Sequence, residues 1–270
     1  MTDPGDLSWC LGIQVTQGKD AVLLSQSTNV TKLLQRFGMQ GCKLIKTPRA
    51  TNFKESEEQL CQSLVGSLMW ATIATRPGIA FAIGELSTFV SKPSRKHTIA
   101  AKRVIPCLKF TKDYHLRYSR RRRGERFELY GFCDASWGCQ DDGKSVSGYL
   151  FEVKSCIVRC SSKKQTATTL SAAEAEYVGL SYGVQKSLLR NMLCDIGFVQ
   201  CSPMIIYEDN QSRVAIAKNS MIKSRTKHIK IRYHFTREMI DAIEQDAKVM
   251  DSLSCWRSAT AFLLYRTHDC

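Results

Sequence analysis

The chain has 270 residues, 43% of them apolar, and a formal net charge of +14 with a pI near 9.3. That length holds one large core or two modest ones, the apolar share excludes a disordered chain, and the charge points to a polyanionic partner. No run of about 18 apolar residues occurs, so no spanning helix and no membrane partner are expected. The N-terminus, MTDPGDLSWC, lacks the basic and apolar regions of a signal peptide, so an intracellular setting is expected, in cytoplasm or nucleus. Twelve cysteines include no Cys-x-x-Cys pair. Reduced, partly buried thiols are therefore expected, with no zinc cluster and no disulfide-linked partner.

In chain order, LSWCLGIQV and AVLLSQ read as two strands of a hairpin around Gly18-Lys19-Asp20. STNVTKLLQRFGM places Val30, Leu33, Leu34 and Phe37 at helical spacing, with Gly38 as a stop. Residues 61–91 are helical and apolar, broken at Arg76-Pro77-Gly78. Residues 96–112 form a basic amphipathic helix that should kink or end at Pro106, because an interior proline costs ~3 kcal/mol. No catalytic constellation is visible in this first part. The polar run SRRRRGER, residues 119–126, reads as a linker or exposed hairpin and divides the chain in two.

The second part has a different rhythm. RFELYGFCDAS, VSGYLFEV and SCIVRCSS read as strands, with the turn DDGKSVSG after the first. LSAAEAEYVGLSYGVQKSLLRNMLCDIG reads as one long helix ending at Gly197, and PMIIY as a short parallel strand. NQSRVAIAKN and TKHIKIRYHFTREMIDAIEQ read as two further helices. Together these predict an α/β fold, a mixed sheet flanked by helices.

Three carboxylates stand out. Asp134 shares its strand parity with Tyr130 and Phe132; alone it reads as a turn-starting aspartate. Glu176 lies on the core side of the long helix, whereas Glu174 pairs with Ser171 as a capping box. Glu176 either snorkels out at the helix start or serves a site. Asp209 follows the apolar strand and alone reads as a helix N-cap. Converging at the open end of a sheet, the three would repel one another. A pair of Mg²⁺ ions relieves such repulsion and supports phosphodiester cleavage.

The segments CDASWGCQDDGKSVSGYLF, CSSKKQTATTLSAAEAEYVGLS, YEDNQSRVAIAKN and RTKHIKIRYHFTRE resemble the RNase H domain of copia-type LTR retrotransposon Pol proteins. LGIQV, LLSQS, LLQRFGM, LVGSLMW, TRPGIAFAIG and AAKRV resemble the end of the reverse transcriptase and its connection in the same polyproteins. The resemblance implies a smaller α+β reverse-transcriptase remnant and connection over 1–120, an RNase H-like domain over 125–245, and an unassigned divergent tail over 246–270. It implies Asp134, Glu176 and Asp209 as catalytic carboxylates binding two Mg²⁺ or Mn²⁺ ions, and hydrolysis of RNA in RNA–DNA hybrids. Ser161, Ser162, Lys163, Lys164, Lys144, Ser145 and Ser147 are expected near the hybrid backbone, as are Lys227, His228, Arg232 and His234.

The sequence also departs from the family. Lys230 stands where the family usually has Asp, the fourth carboxylate of the metal site. At 4 Å, two unit charges interact by ~4 kcal/mol at an effective dielectric of 20, so a cation there should weaken metal binding and activity. Cys160 replaces a usual Trp, and Gly78 a usual Asp. The Tyr-x-Asp-Asp polymerase motif is absent, so no polymerase activity is expected. The alternative to a nuclease is a non-catalytic nucleic-acid-binding module or a decayed fragment.

Overall fold

The computed structural model describes residues 6–44, 58–120, 128–153, 156–184, 189–199, 204–208 and 247–251. The chain divides into two compact units, Met1–Arg120 and Arg121–Cys270.

The first unit holds an antiparallel sheet in the order β1 (Trp9–Cys10), β2 (Ile13–Gln17), β3 (Ala21–Ser25), β4 (His115–Ser119). The expected single strand over LSWCLGIQV is therefore two. Leu11 (φ 49°) and Gly12 (φ 77°) both take left-handed backbone, which closes a two-residue hairpin with Cys10 opposite Ile13. Helix α1 (Ser27–Arg36) buries Val30, Leu33 and Leu34, and Gly38, at φ 63°, ends it as its sequence suggests. Helix α2 (Glu58–Ala74), a 3-10 turn (Pro77–Ile79) and α3 (Ala80–Ser87) follow, broken at Pro77 as expected.

Helix α4 (Arg95–Phe110) does not end at Pro106, one of the two outcomes expected there, but runs four residues beyond it. Proline removes one backbone donor, but Val104, Ile105, Cys107 and Leu108 around it are all buried in the helical core. Their burial, at roughly 1.5–3 kcal/mol per large side chain, outweighs the missing bond. Arg76 is buried and donates from its two terminal nitrogens to the Thr75, Thr111 and Lys112 carbonyls. It thus satisfies carbonyls left open at the C-terminal end of α4. Burial pulls its pKa down, and nearby Asp113 pulls it up.

The second unit holds a five-stranded sheet in the order β7 (Cys156–Lys164), β6 (Val146–Val153), β5 (Leu129–Ser136), β8 (Met204–Glu208), β9 (Ala247–Asp251). β5, β6 and β7 are antiparallel; β8 runs parallel to β5, and β9 parallel to β8. A hairpin triplet joined by a helix to parallel strands is the topology of an RNase H-like sheet, so the expected fold class holds. β9 lies in the tail to which no motif gave a role.

The expected long helix is described as α5 (Ala172–Val184) and α6 (Leu189–Asp195), on either side of residues 185–188. α5 covers one face of the sheet, where Leu180 packs with Leu129, Cys133, Tyr149, Phe151 and Ile206. The opposite face carries Phe132 and Leu150 with Tyr130, Cys160 and Tyr207. Gly131 has no room for a side chain, since a Cβ there would lie 2.7 Å from the fully buried Phe151 ring. The two helices expected over NQSRVAIAKN and TKHIKIRYHFTREMIDAIEQ lie outside the described residues.

Candidate functional site

The site is built at the carboxyl end of β5. Asp134, the sixth residue of that strand, is half-buried, and its Oδ1 accepts a 2.7 Å hydrogen bond from the Ala135 N–H. By pleat alternation it falls on the Tyr130–Phe132 face. Across the sheet its row continues through Gly148 to Ser162.

Glycines bring α5 onto β5 closely enough to reach this end. A Cβ on Gly179 would lie 3.1 Å from the Asp134 carbonyl oxygen and 3.4 Å from the Ala135 Cβ. Gly183, one turn later, abuts Cys133 and Tyr149. Going backward along the helix therefore means going forward along β5. Glu176, half-buried and three residues before Gly179, occupies the turn beyond, at the open end of the strand. The structure thus places Asp134 and Glu176 at the same end of β5, Asp134 on the Tyr130–Phe132 face of the strand and Glu176 on the helix that covers the other face. β8 ends beside them: Tyr207 is level with Phe132, and Glu208 is the last described residue there. Asp209, the third expected carboxylate, lies outside the described residues, as do Lys227, His228, Lys230, Arg232 and His234.

Glu174 plays the capping role read from the sequence. It is buried, its N–H donates to Ser171 Oγ at 3.3 Å, and its Oε2 accepts the Leu170 N–H at 2.8 Å. The reciprocal bond goes one residue earlier than the motif predicts, to Leu170 instead of Ser171.

Two residues expected near a hybrid backbone carry buried hydroxyls. Ser145 is fully buried; its Oγ accepts the Gly138 N–H at 3.1 Å and meets Thr169 Oγ1 at 2.9 Å. Ser147 is 3% exposed, and its Oγ accepts from Gln165 Nε2 at 2.7 Å. Both hydroxyls lie inside the unit and hold it together. Ser161 and Ser162 are half-buried, and Ser162 Oγ is shielded without a partner. Lys163 is exposed. Lys164 and Lys144 reach Asp142, at 2.9 Å and 3.7 Å. The Lys164 hydrogen bond is the main cause holding the exposed Asp142 carboxyl below its usual pKa.

One positioning residue escaped the sequence reading. Gln165 is 2% exposed, and its Nε2 donates both to Ser147 Oγ and, at 2.6 Å, to the carbonyl of Ala175, the neighbour of Glu176. Its own N–H donates to the Ser145 carbonyl at 2.8 Å. It therefore ties β6 to the first turn of α5. No periodic pattern marks such a residue.

No family model matches the chain. It is 34% identical to the retrovirus-related Pol polyprotein from transposon TNT 1-94 of Nicotiana tabacum, over 93% of this chain and 20% of that one. It is 30% identical to the Pol polyprotein from transposon RE1 of Arabidopsis thaliana, over 96% of this chain and 19% of that one. The chain belongs to the Pol polyproteins of copia-type transposons. This Pol segment spans about a fifth of the length of the curated relatives it matches. Among solved structures, a foamy viral protease-reverse transcriptase in complex with RNA/DNA hybrid is similar over 92% of this chain and 29% of its own. That likeness has 13% identity and a TM-score of 0.49. Among the described residues of the Pol segment, no helix is long and apolar enough to cross a membrane.

Proposed function

We propose that the second unit is an RNase H-type nuclease module that hydrolyses the RNA strand of RNA–DNA hybrids, with its activity reduced or lost through Lys230. The supporting observation is that β5 carries Asp134, and α5, seated on glycine, carries Glu176, to the same end of the sheet. Two half-buried carboxylates from separate elements offer hard oxygen donors, which suit Mg²⁺ or Mn²⁺. Among the described residues no group of three His, Cys, Asp or Glu gathers as a metal site, so a third ligand has to come from beyond them; Asp209 is the residue assigned. Bound ions would supply Lewis-acid stabilisation of the cleaved phosphodiester and an activated water.

The chain's own residues do the remaining work. Asp134 and Glu176 concentrate negative charge where the ions bind. Gln165 fixes the first turn of α5 against β6 and so sets where Glu176 stands. Lys163, exposed on β7, faces solvent where a phosphate backbone would run. Lys230, standing where the family usually has Asp, would set a cation against the metal and weaken its binding. The setting is intracellular, in cytoplasm or nucleus, and the segment carries no polymerase activity. A second reading, a nucleic-acid-binding module without catalysis, is favoured by Lys230 itself.

The test is cleavage of a labelled RNA–DNA hybrid with Mg²⁺ and then Mn²⁺, by the protein and by Lys230→Asp side by side. Cleavage by Lys230→Asp that Asp134→Asn abolishes supports the nuclease reading. If no form cleaves although all bind the hybrid, the second reading replaces it.

A further inference from the structure

The two faces of the second unit's sheet are covered differently. On one, α5 and α6 bring Leu180, Leu189 and Leu193 to the cluster around Phe151. On the other, every clustered residue is on a strand: Tyr130, Phe132, Leu150, Ile157, Cys160 and Tyr207. No described helix contributes to that cluster, yet Phe132 is 4% exposed and Leu150 1%. Ser162 Oγ, in the Asp134–Gly148–Ser162 row of the same face, is shielded from solvent with no partner. An apolar sheet face needs a second layer to bury it. Here that layer has to come from outside the described residues.

We propose that the C-terminal segment, residues 252–270, docks on this face and is its cover. Topology separates it from 209–246, the segment that joins β8 to β9. β6 runs antiparallel to both β5 and β7, so β7, β5, β8 and β9 all point the same way. The step from β7 through α5 to β8 and the step from β8 to β9 cross the sheet in the same direction. Such crossovers are right-handed in about 98% of cases, so two that step the same way lie on one face, and 209–246 belongs with α5. The opposite face is left to the residues that follow β9.

The segment fits in length and pattern. It starts at the edge of the sheet, beside β9. Crossing from β9 to β7 takes four strand spacings of ~4.8 Å, or about 19 Å. The 19 residues would rise ~28 Å as a helix, enough to span the face. In SLSCWRSATAFLLYRTHDC, Trp256, Ala259, Leu263 and Leu264 recur at helical spacing, with Ser258 and Tyr265 on the far side of the same pattern. A second copy of the chain fits less well. It would present the same face, setting half-buried Glu152 of one copy, the cross-strand partner of Tyr130, against Glu152 of the other. None of these steps uses the nuclease reading.

Cys160 reports on the cover. It is half-buried on this face, and burial pushes its thiol pKa up to about 11, which slows alkylation because the thiolate is the species that reacts. The experiment measures iodoacetamide labelling of Cys160 by peptide mass spectrometry, with fully buried Cys133 on the α5 face as the internal standard. In the full chain, Trp256→Asp/Leu263→Asp should speed Cys160 labelling at least about tenfold while Cys133 stays protected. Ser258→Asp/Tyr265→Asp, on the far side of the pattern, should leave Cys160 as it is. An unchanged Cys160 rate in the first variant, or the same rise in both, would overturn the proposal. So would protection that fades as the full chain is diluted, which would assign the face to a second copy. If the first variant exposes Cys133 as well, the chain ending at Asp251 decides. Adding a synthetic peptide of residues 252–270 to it should restore protection of Cys160, and a peptide without effect rejects the docking.

Discussion

His97 shows how a single side chain ties local structure to pH. Its Nδ1 accepts the Ser94 N–H at 3.0 Å, which completes a capping box at the start of α4, and its ring stacks on Phe89 at 4.0 Å. Burial is the main cause holding its pKa below the usual value; Glu85 pulls it up and Lys96 pushes it down. A histidine depressed in the folded state is protonated first in the unfolded chain, so stability should fall as pH drops below about 6.5. His97→Gln keeps an acceptor at the same position and removes the titration. Melting temperatures of the two proteins between about pH 7.5 and 5.5 check this, and the variant should show the flatter profile. A parallel decline in both would remove His97 as the cause. At this scale the sequence marks carboxylates more sharply than hydroxyls. Strand parity isolated Asp134, because an acid in an apolar row is conspicuous. Ser145 and Ser147 look alike whether they face solvent or, as here, Thr169 and Gln165, since a serine's burial depends on partners distant in sequence.

Among elements, α5 is the one whose seating decides the site. Gly179 lets the helix approach β5 until it touches the Asp134 carbonyl. Gly179→Ala would gain up to ~1 kcal/mol of helix propensity but place a methyl 3.1 Å from a backbone oxygen that cannot swing away. Overpacking of that kind costs about 1–3 kcal/mol, so a net loss of stability is expected in a denaturant titration. A more stable variant would show that α5 can lift off the sheet without penalty. Helical periodicity and glycine stops made α1, α2, α3 and α5 legible, because their spacing is dictated by which faces are buried. Pro106 does not end α4, since a propensity of ~3 kcal/mol is smaller than the burial of the residues around it. The split of the first strand turned on two left-handed residues, one of them Leu11, a residue type that gives no warning of such backbone.

For the whole molecule, the change of rhythm at SRRRRGER falls where the two compact units divide. β9 gives no such mark, because AKVMD carries no alternation of its own and pairs only once β8 is in place. A chain ending after Gln245 should lose that cover. It would expose one side of Met204–Glu208, a short and largely apolar strand, as an open edge. Such a truncation is expected to sediment as larger species over time while the full chain does not. Equal sedimentation would mean that β9 contributes nothing to solubility.

The pairing of β9 has an evolutionary side. A parallel edge strand is recruited through backbone N–H and C=O groups, which every residue except proline supplies in full. Replacing the terminal segment of such a chain therefore need not cost it a sheet. Whatever sequence is joined after residue 245 can be accepted if five residues of it lie extended beside β8, as Ala247–Asp251 do. A Pol segment built this way can vary in sequence at β9 and still close its fold, a latitude that β5 does not have.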